Sequence, residues 1–483
     1  MALTAVVAIP LVAALLCWLA PLRKFAWVIT LISTWTVLPL AVLVSAEVLS
    51  KGRVIGLPGW IEADAFGALV LTLVSFVAAL ASVFAGGYMR RREHEHSRLW
   101  WFYCNYNLFA FALLSVPVLT EPNLVWVGVE LITLFAVLLV GFEKTNGALE
   151  AAWKYAILTM MGAPISLLGF FALFWAYRSA GGGIPETWEG LRMLGPSMDP
   201  NLLKLSFLLV FVGFGAKSGL APVHTWLPDA HSQAPSPVCA VLSGVKTTVP
   251  LYAILRLLSI VLASPAARVG NWMIVLGLIS VGIAAFLLLQ VRDYKRMFAY
   301  STVEHMGIIL TAAGFATRGS DFGAVSQMLN HAITKSLCFY VAGIILLALS
   351  TREINSVHGL FRVSPFAGSA LVLCSLAIAG APPFPIFLSE YAILSAGVRA
   401  EQHAAVAILA VLIVIAFVAI LWHVNRMVFG KPTIPYSVES LPVSCRLAVI
   451  LAAAPVVLLG VYIPVPVHNL LQLAAQQLGG HGP

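Results

Sequence analysis

Long apolar stretches separated by short polar segments repeat along almost the whole chain. Each stretch has roughly 20 residues, which is enough for a helix to cross about 30 Å of hydrocarbon. The pattern therefore predicts an all-α polytopic membrane protein with about 14 transmembrane helices. The predicted spans are residues 3–20, 26–47, 64–87, 101–119, 122–141, 153–177, 204–221, 236–259, 270–290, 297–315, 321–349, 364–395, 404–425 and 446–465.

Glycine and proline interrupt two of these spans, the seventh and the twelfth. The interruptions read GLAPVHTWLP at residues 219–228 and GAPPFPIFLSE at residues 380–390. Irregular backbone inside a bilayer is stable only where it is buried in protein or lines a wet cavity. Matched interruptions are typical of transporters built from inverted repeats, although prolines also produce simple kinks. The pattern predicts broken helices 7 and 12 with a hydrated path beside them.

Lysine and arginine are distributed unevenly between the two sets of connecting loops. The richer set follows the odd-numbered spans and holds Arg23, Lys24, Arg90, Arg91, Arg92, Arg98, Lys144, Arg292, Lys295, Arg296, Arg352, Arg362, Arg426, Lys431 and Arg446. The poorer set holds Lys51, Arg53, Arg178, Arg192, Arg268, Arg318 and Arg399. Because cytoplasmic loops carry the excess of basic residues, we expect both termini on the outer face of a bacterial or archaeal inner membrane. The first apolar stretch lacks a basic front and a small-residue cleavage site, so we expect a span there and not a signal peptide.

Composition excludes several other classes of protein. Hydrophobic residues make up 60% of the chain and charged residues 10%, whereas a soluble domain has about 25% charged residues. The net charge of +8 lies mostly in short loops and forms no basic patch with interleaved aromatic residues, so we expect no nucleic acid partner. The longest polar connection, residues 179–201, is too short to form a soluble domain.

The sequence contains no recognisable cofactor motif. The six cysteines are scattered without a CxxC pair, which favours small core residues over disulfides or zinc ligands. A GxGxxG fingerprint, a phosphate-binding loop and a haem-attachment motif are also missing from the sequence. We therefore expect no cofactor and no metal in this chain.

Ionisable residues recur inside successive apolar spans. They are Glu130, Lys217, Lys246, His305, His331, Lys335 and Glu390. A charged side chain at this depth costs about 3 kcal/mol or more, so it usually faces the protein interior, has a partner and serves a function. The structural alternatives are a neutral packing glutamate, a lysine that reaches the interface, a hydrogen-bonded core histidine and a carboxylate at the end of a span. Recurrence in consecutive spans favours a proton path over these alternatives.

The spacing of these groups indicates how some of them pair. Glu130 has no positive charge within helical reach in its own span, so its partner comes from another helix or the carboxyl is protonated. Lys217 lies near the break in span seven, where burial favours the neutral amine and a nearby carboxylate favours the ammonium. A lysine held between these two effects exchanges its proton when the carboxylate moves. His331 and Lys335 are four residues apart and share one helix face.

The seventh break also carries prolines and polar residues outside the apolar spans. They are Pro222, His224, Pro228, Asp229 and His231. His224 and His231 are too far apart in the sequence for a standard zinc spacing. We interpret this segment as a polar loop that caps the broken helix and admits protons.

Four segments resemble a known family. They are GAKSGLAPVHTWLPDAHSQAPSPVCAVLSG (215–244), DYKRMFAYSTVEHMG (293–307), QMLNHAITKSLCFYVAG (327–343) and APPFPIFLSE (381–390). They resemble the antiporter-like subunits shared by respiratory complex I, Mrp-type cation/proton antiporters and membrane-bound group 4 hydrogenases. Within that family, the amino-acid sequence around the seventh break is most similar to the hydrogenase-4 component F branch. The resemblance covers about residues 60–430.

This resemblance implies an architecture and a set of roles. It implies two inverted five-helix repeats, residues 101–259 and 270–425, between an N-terminal segment, 1–100, and a C-terminal segment, 426–483. The implied roles pair Glu130 with Lys217, place the two histidines in a central relay and make Glu390 the terminal group of span twelve.

The chain departs from the family pattern at one position. The lysine that bridges the two halves usually lies where this chain has Thr248, and Lys246 comes two residues earlier. Two residues correspond to about 200° around a helix. Either the helix is locally irregular or Lys246 does not bridge the halves, in which case Lys335 is the alternative.

The resemblance implies a proton-translocating subunit with no catalytic chemistry of its own. Its expected partners are other membrane subunits of a hydrogenase-like or complex I-like assembly, the lipid bilayer and protons, with a redox partner as the energy source. The alternative is a subunit of an Mrp-type antiporter that exchanges Na⁺ for protons. A membrane scaffold whose buried charges have no transport role is a third possibility.

Overall fold

The computed structural model describes residues 1–91, 98–431 and 440–479, apart from the side chain of Ala20. Arg92, one of the basic residues used above to orient the chain, lies outside the described residues. In the described part, eleven helices are long and apolar enough to cross a membrane. The helix Ala2–Trp18, the more polar helix Tyr294–Phe315 and a broken pair, Pro365–Ile378 and Pro385–Arg399, bring the crossings among these residues to fourteen. The predicted all-α polytopic fold is confirmed.

The first half of the described chain contains seven numbered helices before its broken crossing. They are α1 (Ala2–Trp18), α2 (Ala26–Lys51), α3 (Ala65–Arg91), α4 (Leu99–Ser115), α5 (Pro122–Val140), α6 (Asn146–Ser179) and the short α7 (Trp188–Leu194). The seventh crossing consists of α8 (Pro200–Ser218) and α9 (Trp226–Gln233). The eighth crossing consists of α10 (Ser236–Val241), a π-helical turn (Leu242–Lys246) and α11 (Thr248–Leu262).

The second half contains the twelfth crossing, which is broken like the seventh. Its helices are α12 (Gly270–Gln290), α13 (Tyr294–Phe315), α14 (Arg318–Leu349), the short α15 (Leu360–Val363), α16 (Pro365–Ile378), α17 (Pro385–Arg399), α18 (His403–Val428), α19 (Val443–Val461) and α20 (Val465–Leu478). The division into inverted repeats stays a prediction, and in each predicted repeat the broken crossing is the fourth.

Both breaks follow the same local design. Gly219 and Gly380 end α8 and α16 with φ of 79° and 77°, a conformation that glycine adopts at little cost. The next amides, of Leu220 and Ala381, donate to the carbonyls of Gly215 and Leu376 at 2.9 and 3.0 Å. These are Schellman closures, which satisfy some of the free carbonyls at a helix end and leave others available. An Ala–Pro and a Pro–Pro peptide bond, both cis, follow the two glycines.

Three crossings form the centre of the bundle. In their most apolar stretches, α3 is 89% buried, the α10–α11 crossing 100% and α14 78%, whereas α18 is only 28% buried. Polar residues on α10 and α14 therefore face protein and not lipid. This burial places the candidate groups of the eighth and eleventh crossings inside the bundle.

The two ends of the bundle differ in character. At one end Asp229 lies between Lys154 and Arg296, and Arg352 donates to the carbonyl of Ser232 at 2.6 Å. We call this end the basic end. At the opposite end lie a two-stranded antiparallel hairpin, β1 (Val54–Leu57) and β2 (Ile61–Ala63), and the helix α20.

The hairpin and α20 are absent from the hydropathy prediction. Leu470, Leu471, Ala474, Ala475 and Leu478 form the buried face of α20, which packs against α3 and α14. This helix is amphipathic and too short to span, so a search for apolar stretches merges its start with the fourteenth span. The observed end of that span is Val461, before the prolines at 464 and 466.

Candidate functional site

Lys217 and Glu130 form an ion pair between α8 and α5. The Lys217 amine donates to Glu130 Oε2 at 3.0 Å and to Thr133 Oγ1 at 2.9 Å. The lysine side chain is fully buried, whereas 23% of the Glu130 side chain is exposed. The carboxylate oxygen Oε1 of Glu130 has no hydrogen-bond partner among the described residues. The amine is thus fixed inside the bundle, while its partner lies at the bundle's edge.

Lys246 is fully buried, and its amine is bound by a backbone carbonyl and two aromatic rings. Its amine donates to the carbonyl of Lys217 at 2.8 Å and lies 3.9 Å from the ring centre of Trp226 and 4.7 Å from that of Tyr155. The carbonyl of Lys217 is available because α8 ends one residue later. A helix C-terminus and two aromatic faces both attract a cation. The break in the seventh crossing thus creates the acceptor for the lysine of the eighth.

A π-helical turn lies at the unusual position of Lys246. The amide of Thr247 donates to the carbonyl of Leu242, five residues back, at 3.2 Å. The carbonyl of Ser243 is released from the helical ladder and accepts from the Thr247 hydroxyl at 3.0 Å and from His331 Nε2 at 3.1 Å. The helix is therefore locally irregular, which was one of the two alternatives that the spacing raised; the other, that Lys246 does not bridge the halves, concerns the contacts of its amine.

Near the polar groups of the eighth crossing, contacts with the second half come from Ser243, one turn before Lys246. The amine of Lys246 lies against α8, α9 and α6, all within the first half. The Ser243 carbonyl accepts from His331 on α14, and the Ser243 hydroxyl lies 2.6 Å from the hydroxyl of Thr302 on α13. Sequence reasoning missed Ser243.

His305 and His331 lie side by side in the second half, with ring centres 5.3 Å apart. Gln327 Nε2 donates to His305 Nδ1 at 2.8 Å, so the proton of neutral His305 is on Nε2 and is donated to the carbonyl of Ile378 at 3.1 Å. Ile378 is the last residue of α16, so the second break also supplies a carbonyl. Glu390 Oε1 lies 4.0 Å from His305 Nδ1.

Lys335 is one turn beyond His331 on α14. It is fully buried, and its amine donates to the carbonyl of Phe298 at 2.6 Å and to the hydroxyl of Ser301. Both acceptors belong to α13. Lys335, like Lys246, therefore has oxygen dipoles as its hydrogen-bond partners.

A polar chain between α14 and α17 was missed at the level of sequence. The Ser389 hydroxyl donates to Gln327 Oε1, and Asn330 Nδ2 donates to Ser389 Oγ at 3.1 Å and to the carbonyl of Pro385 at 2.8 Å. The signal was present, because polar residues on α14 recur with helical spacing through an apolar span. They are Gln327, Asn330, His331, Thr334 and Lys335.

The interpretation of the seventh break as a polar loop needs a correction. Pro222 and His224 lie in the break, but Pro228, Asp229 and His231 lie on the helix α9. Only three residues, 223–225, separate the cis proline Pro222 from Trp226, where α9 begins and helical backbone hydrogen bonding resumes. Asp229 points to the basic end, as described above.

His231 is fully buried on the inner side of α9. It donates from Nδ1 to the carbonyl of Leu227 at 2.7 Å, and its Nε2 has no partner among the described residues. His231 therefore belongs to the interior of the bundle and not to an entry loop.

We call the seven groups Glu130, Lys217, Lys246, His305, His331, Lys335 and Glu390 the polar axis. Six of them are 5% exposed or less, and the exception is Glu130. Every member can accept and release a proton, and hydrogen bonds hold Glu130, the three lysines and the two histidines in place. In the described ranges no group of three or more His, Cys, Asp or Glu residues is placed to hold a metal ion. The axis is thus suited to proton exchange between neighbouring groups.

A family model described as "NADH:quinone oxidoreductase/Mrp antiporter, TM" matches residues 122–416. The matched stretch contains both breaks and the whole polar axis. The chain is also 35% identical over 411 residues to the hydrogenase-4 component F homolog of Methylacidiphilum infernorum, which covers 83% of this chain and 85% of that protein.

Two solved structures have the same fold. One is a chain of the membrane-bound sulfane sulfur reductase, an archaeal respiratory membrane complex, with a TM-score of 0.87 and 24% identity over 99% of this chain and 97% of that one. The other is a chain of the Mrp complex from Dietzia sp. DQ12-45-1b, with a TM-score of 0.87 and 20% identity over 99% and 96%.

Proposed function

The chain belongs to the NADH:quinone oxidoreductase/Mrp antiporter family of transmembrane subunits, and on this premise we propose that it conducts protons across the membrane along the polar axis. It is a multi-pass, antiporter-like membrane subunit related to hydrogenase-4 and NADH-quinone oxidoreductase components. The observation that carries the proposal is the Glu130–Lys217 pair, in which a fully buried amine depends on one carboxylate for its charge balance.

The pair can load and release a proton as the distance between its members changes. With Glu130 at 3.0 Å, the ammonium form of Lys217 is stabilised by an opposite charge and by the Thr133 hydroxyl. When the carboxylate moves away, burial of the amine favours the neutral form, and the proton leaves. Loading takes place through water from the basic end, beside the break that carries His224.

The released proton moves toward the second half through groups that the breaks and the π-turn hold in place. Lys246 lies at the end of α8, next to Lys217, and can take part through its own amine or through water. Ser243 connects this region to His331 and, through Thr302, to α13, and the two histidines and Lys335 form the next stage. Glu390, close to His305, is the last member of the axis.

Relatives of this chain are components of multisubunit membrane complexes. We propose that this chain joins a hydrogenase-like or complex I-like assembly in the inner membrane, where a redox partner moves the charge at Glu130. Exchange of Na⁺ for protons, as in an Mrp-type antiporter, is the second candidate. Its structural support is the fold shared with a chain of the Mrp complex.

The test compares three alanine variants in the assembled complex. Lys217→Ala and Glu130→Ala should abolish proton uptake into inverted membrane vesicles during turnover of the redox partner, while the subunits still co-purify. Lys204→Ala is the matched control, because Lys204 is on α8 but outside the axis, and it should pump at the wild-type rate. Proton uptake that persists in both axis variants would refute the proposal. Uptake that requires an imposed Na⁺ gradient and no redox turnover would favour the antiporter.

A further inference from the structure

A large cavity opens at the end of the bundle opposite the basic end. It has a volume of about 860 Å³ and lies between the start of α14, the start of α3 and the helix α20. Its lining includes Arg192, Asp321, Phe322 and Gln476, and the exposed Gly319 lies at its rim. We call this cavity the vestibule.

The helix α20 is fastened over the vestibule from two directions. The amide of Phe66, at the start of α3, donates to Gln477 Oε1 at 3.0 Å, and Arg192 donates to the carbonyl of Gly479 at 3.0 Å. The ring of His468 contacts Phe322 of α14 edge to face, with ring centres 5.6 Å apart. These contacts fix α20 in place, so the walls of the vestibule are set by the fold.

Asp321 is an acidic side chain in the vestibule wall that the proposed path does not use. The residue is only 2% exposed, yet it lines the cavity, and its Oδ2 is buried without a hydrogen-bond partner among the described residues. A buried carboxylate oxygen without a partner is costly unless water or a proton occupies the adjoining space. The side chain is therefore placed to exchange a proton with water in the cavity.

A second, smaller cavity continues from the vestibule toward the axis. It has a volume of about 40 Å³ and is lined by Phe322, Ser326, Asn330, Ser389 and Leu471, among others. A water molecule needs at least about 10–15 Å³ and two or more polar partners, so the space is large enough for water. In its wall, Ser326 Oγ has no hydrogen-bond partner among the described residues, whereas Asn330 Nδ2 already donates to Ser389 Oγ and to the carbonyl of Pro385. We call this the inner pocket.

The inner pocket meets the polar axis at Ser389. The hydroxyl of Ser389 is bound to Gln327, and Gln327 is bound to His305, which lies 4.0 Å from Glu390. Phe322 lines both cavities and is the side chain between them. Polar groups and two cavities of water size or larger thus lead from His305 toward Asp321, with Phe322 as the side chain that separates the two cavities.

We propose that the vestibule is the site where the axis exchanges protons with water on this side of the membrane, and that Asp321 is the proton-transfer group at its inner wall. A proton that leaves the Glu390–His305 region crosses the water of the inner pocket and binds Asp321 Oδ2. The new O–H bond then breaks in favour of a vestibule water, which leaves the carboxylate ready for the next proton. This inference rests on the proposed function.

The first experiment measures proton uptake by the full complex in inverted vesicles. Asp321→Asn should slow initial uptake about tenfold or more, because a positioned acid–base group commonly contributes at least that factor. Asp321→Glu should restore most of the rate. Glu401→Gln removes an exposed carboxyl group outside the vestibule and should pump normally. An assembled Asp321→Asn complex that pumps at the wild-type rate would overturn the role of Asp321.

The second experiment measures water access and does not depend on pumping. Ser326→Cys and Asp321→Cys should react in intact cells with a membrane-impermeant methanethiosulfonate reagent added outside. Ser336→Cys, buried on the same helix and away from both cavities, should stay unmodified. Protection of both the Ser326→Cys and the Asp321→Cys variant, or their modification only in inverted vesicles, would overturn the proposed exit. If Lys217→Ala still pumped while these cysteines reacted, the proposed function would fail and the water-filled vestibule would remain.

Discussion

The three buried lysines of the axis differ in what balances their charge. Lys217 has a carboxylate partner, whereas Lys246 and Lys335 have carbonyl, hydroxyl or aromatic partners. A full opposite charge stabilises an ammonium far more than dipoles do in a medium of low dielectric constant. Lys217 is thus the one of the three whose charge depends on the position of a single other side chain.

The uneven burial of the Glu130–Lys217 pair predicts unequal stability effects. Glu130→Ala should lower the free energy of unfolding by about 3 kcal/mol, because it leaves a buried amine unbalanced. Lys217→Met should cost less, because the remaining carboxyl group is at the bundle edge. The double variant should be more stable than Glu130→Ala alone. Thermal unfolding of the purified complexes measures these differences, and equal losses in the two single variants would contradict the burial argument.

Gln327 gives a second prediction for a single residue. Gln327→Leu removes the donor to His305 and the acceptor of Ser389, and an unsatisfied buried polar group costs about 1–3 kcal/mol. We expect lower thermal stability and slower proton uptake. The control Gln290→Leu, at an exposed helix end, should behave as wild type. A normal pumping rate in Gln327→Leu would show that the orientation of His305 does not matter.

The ionisable members of the axis could be selected from sequence because charge in an apolar span is conspicuous. Gln327, Asn330 and Ser389 could not be selected in this way, because neutral polar residues are tolerated in many membrane helices. Helical spacing alone puts Gln327 and Asn330 on one face of α14, but their contact with Ser389 on α17 depends on the packing of two distant segments. The tautomer of His305 depends on the same packing.

Among the helices, the π-turn of the eighth crossing has the largest effect on the axis. It frees the carbonyl of Ser243 for His331 and sets the direction of Lys246. The sequence indicated only an anomaly of spacing here. Whether an extra residue is absorbed as a π-turn or as a rotation of the whole helix depends on tertiary contacts.

Deletion of Val245 tests the π-turn. Removing one residue should convert the turn into regular α-helix, return the Ser243 carbonyl to the helical ladder and abolish proton uptake while the complex still assembles. Deletion of Gly181, in the loop after α6, is the control and should be tolerated. Restored backbone regularity with unchanged pumping would mean that the link from Ser243 to His331 is dispensable.

The two glycines that end α8 and α16 give a further prediction at this scale. Gly219→Ala and Gly380→Ala should each destabilise the protein by more than about 1–2 kcal/mol, because a left-handed conformation costs that amount and the new methyl group collides with Leu227 or Glu390. Gly59→Ala has nearly the same φ with open space around it, and should show only the conformational cost. If Gly59→Ala lowered the melting temperature as much as the other two variants do, the collision would not contribute to their loss of stability.

For the molecule as a whole, the apolar pattern predicted the number of crossings and the two broken ones. It did not predict the hairpin or α20, because neither is an apolar span and both depend on the ends of other helices for their packing. The vestibule therefore could not be predicted from the sequence either. It exists only where α20 meets the starts of α3 and α14.

The distribution of basic residues predicts which end faces the cytoplasm. Cysteine in place of Lys24, at the basic end, should react with an impermeant reagent only in inverted vesicles. Cysteine in place of Arg53, in the hairpin segment, should react in intact cells. Both residues are exposed, so labelling with the opposite pattern would reverse the orientation.

The partial exposure of Glu130 means that the pair with Lys217 can be disturbed from outside the chain. A helix of an adjoining subunit that docks on α5 touches the acidic member without reaching the amine. An arginine delivered there would compete for the carboxylate, whereas an aliphatic neighbour would leave the pair closed. The isolated subunit therefore shows the ion pair without this outside contact. Comparing the isolated subunit with the assembled complex measures how much the adjoining helix changes the Glu130–Lys217 pair.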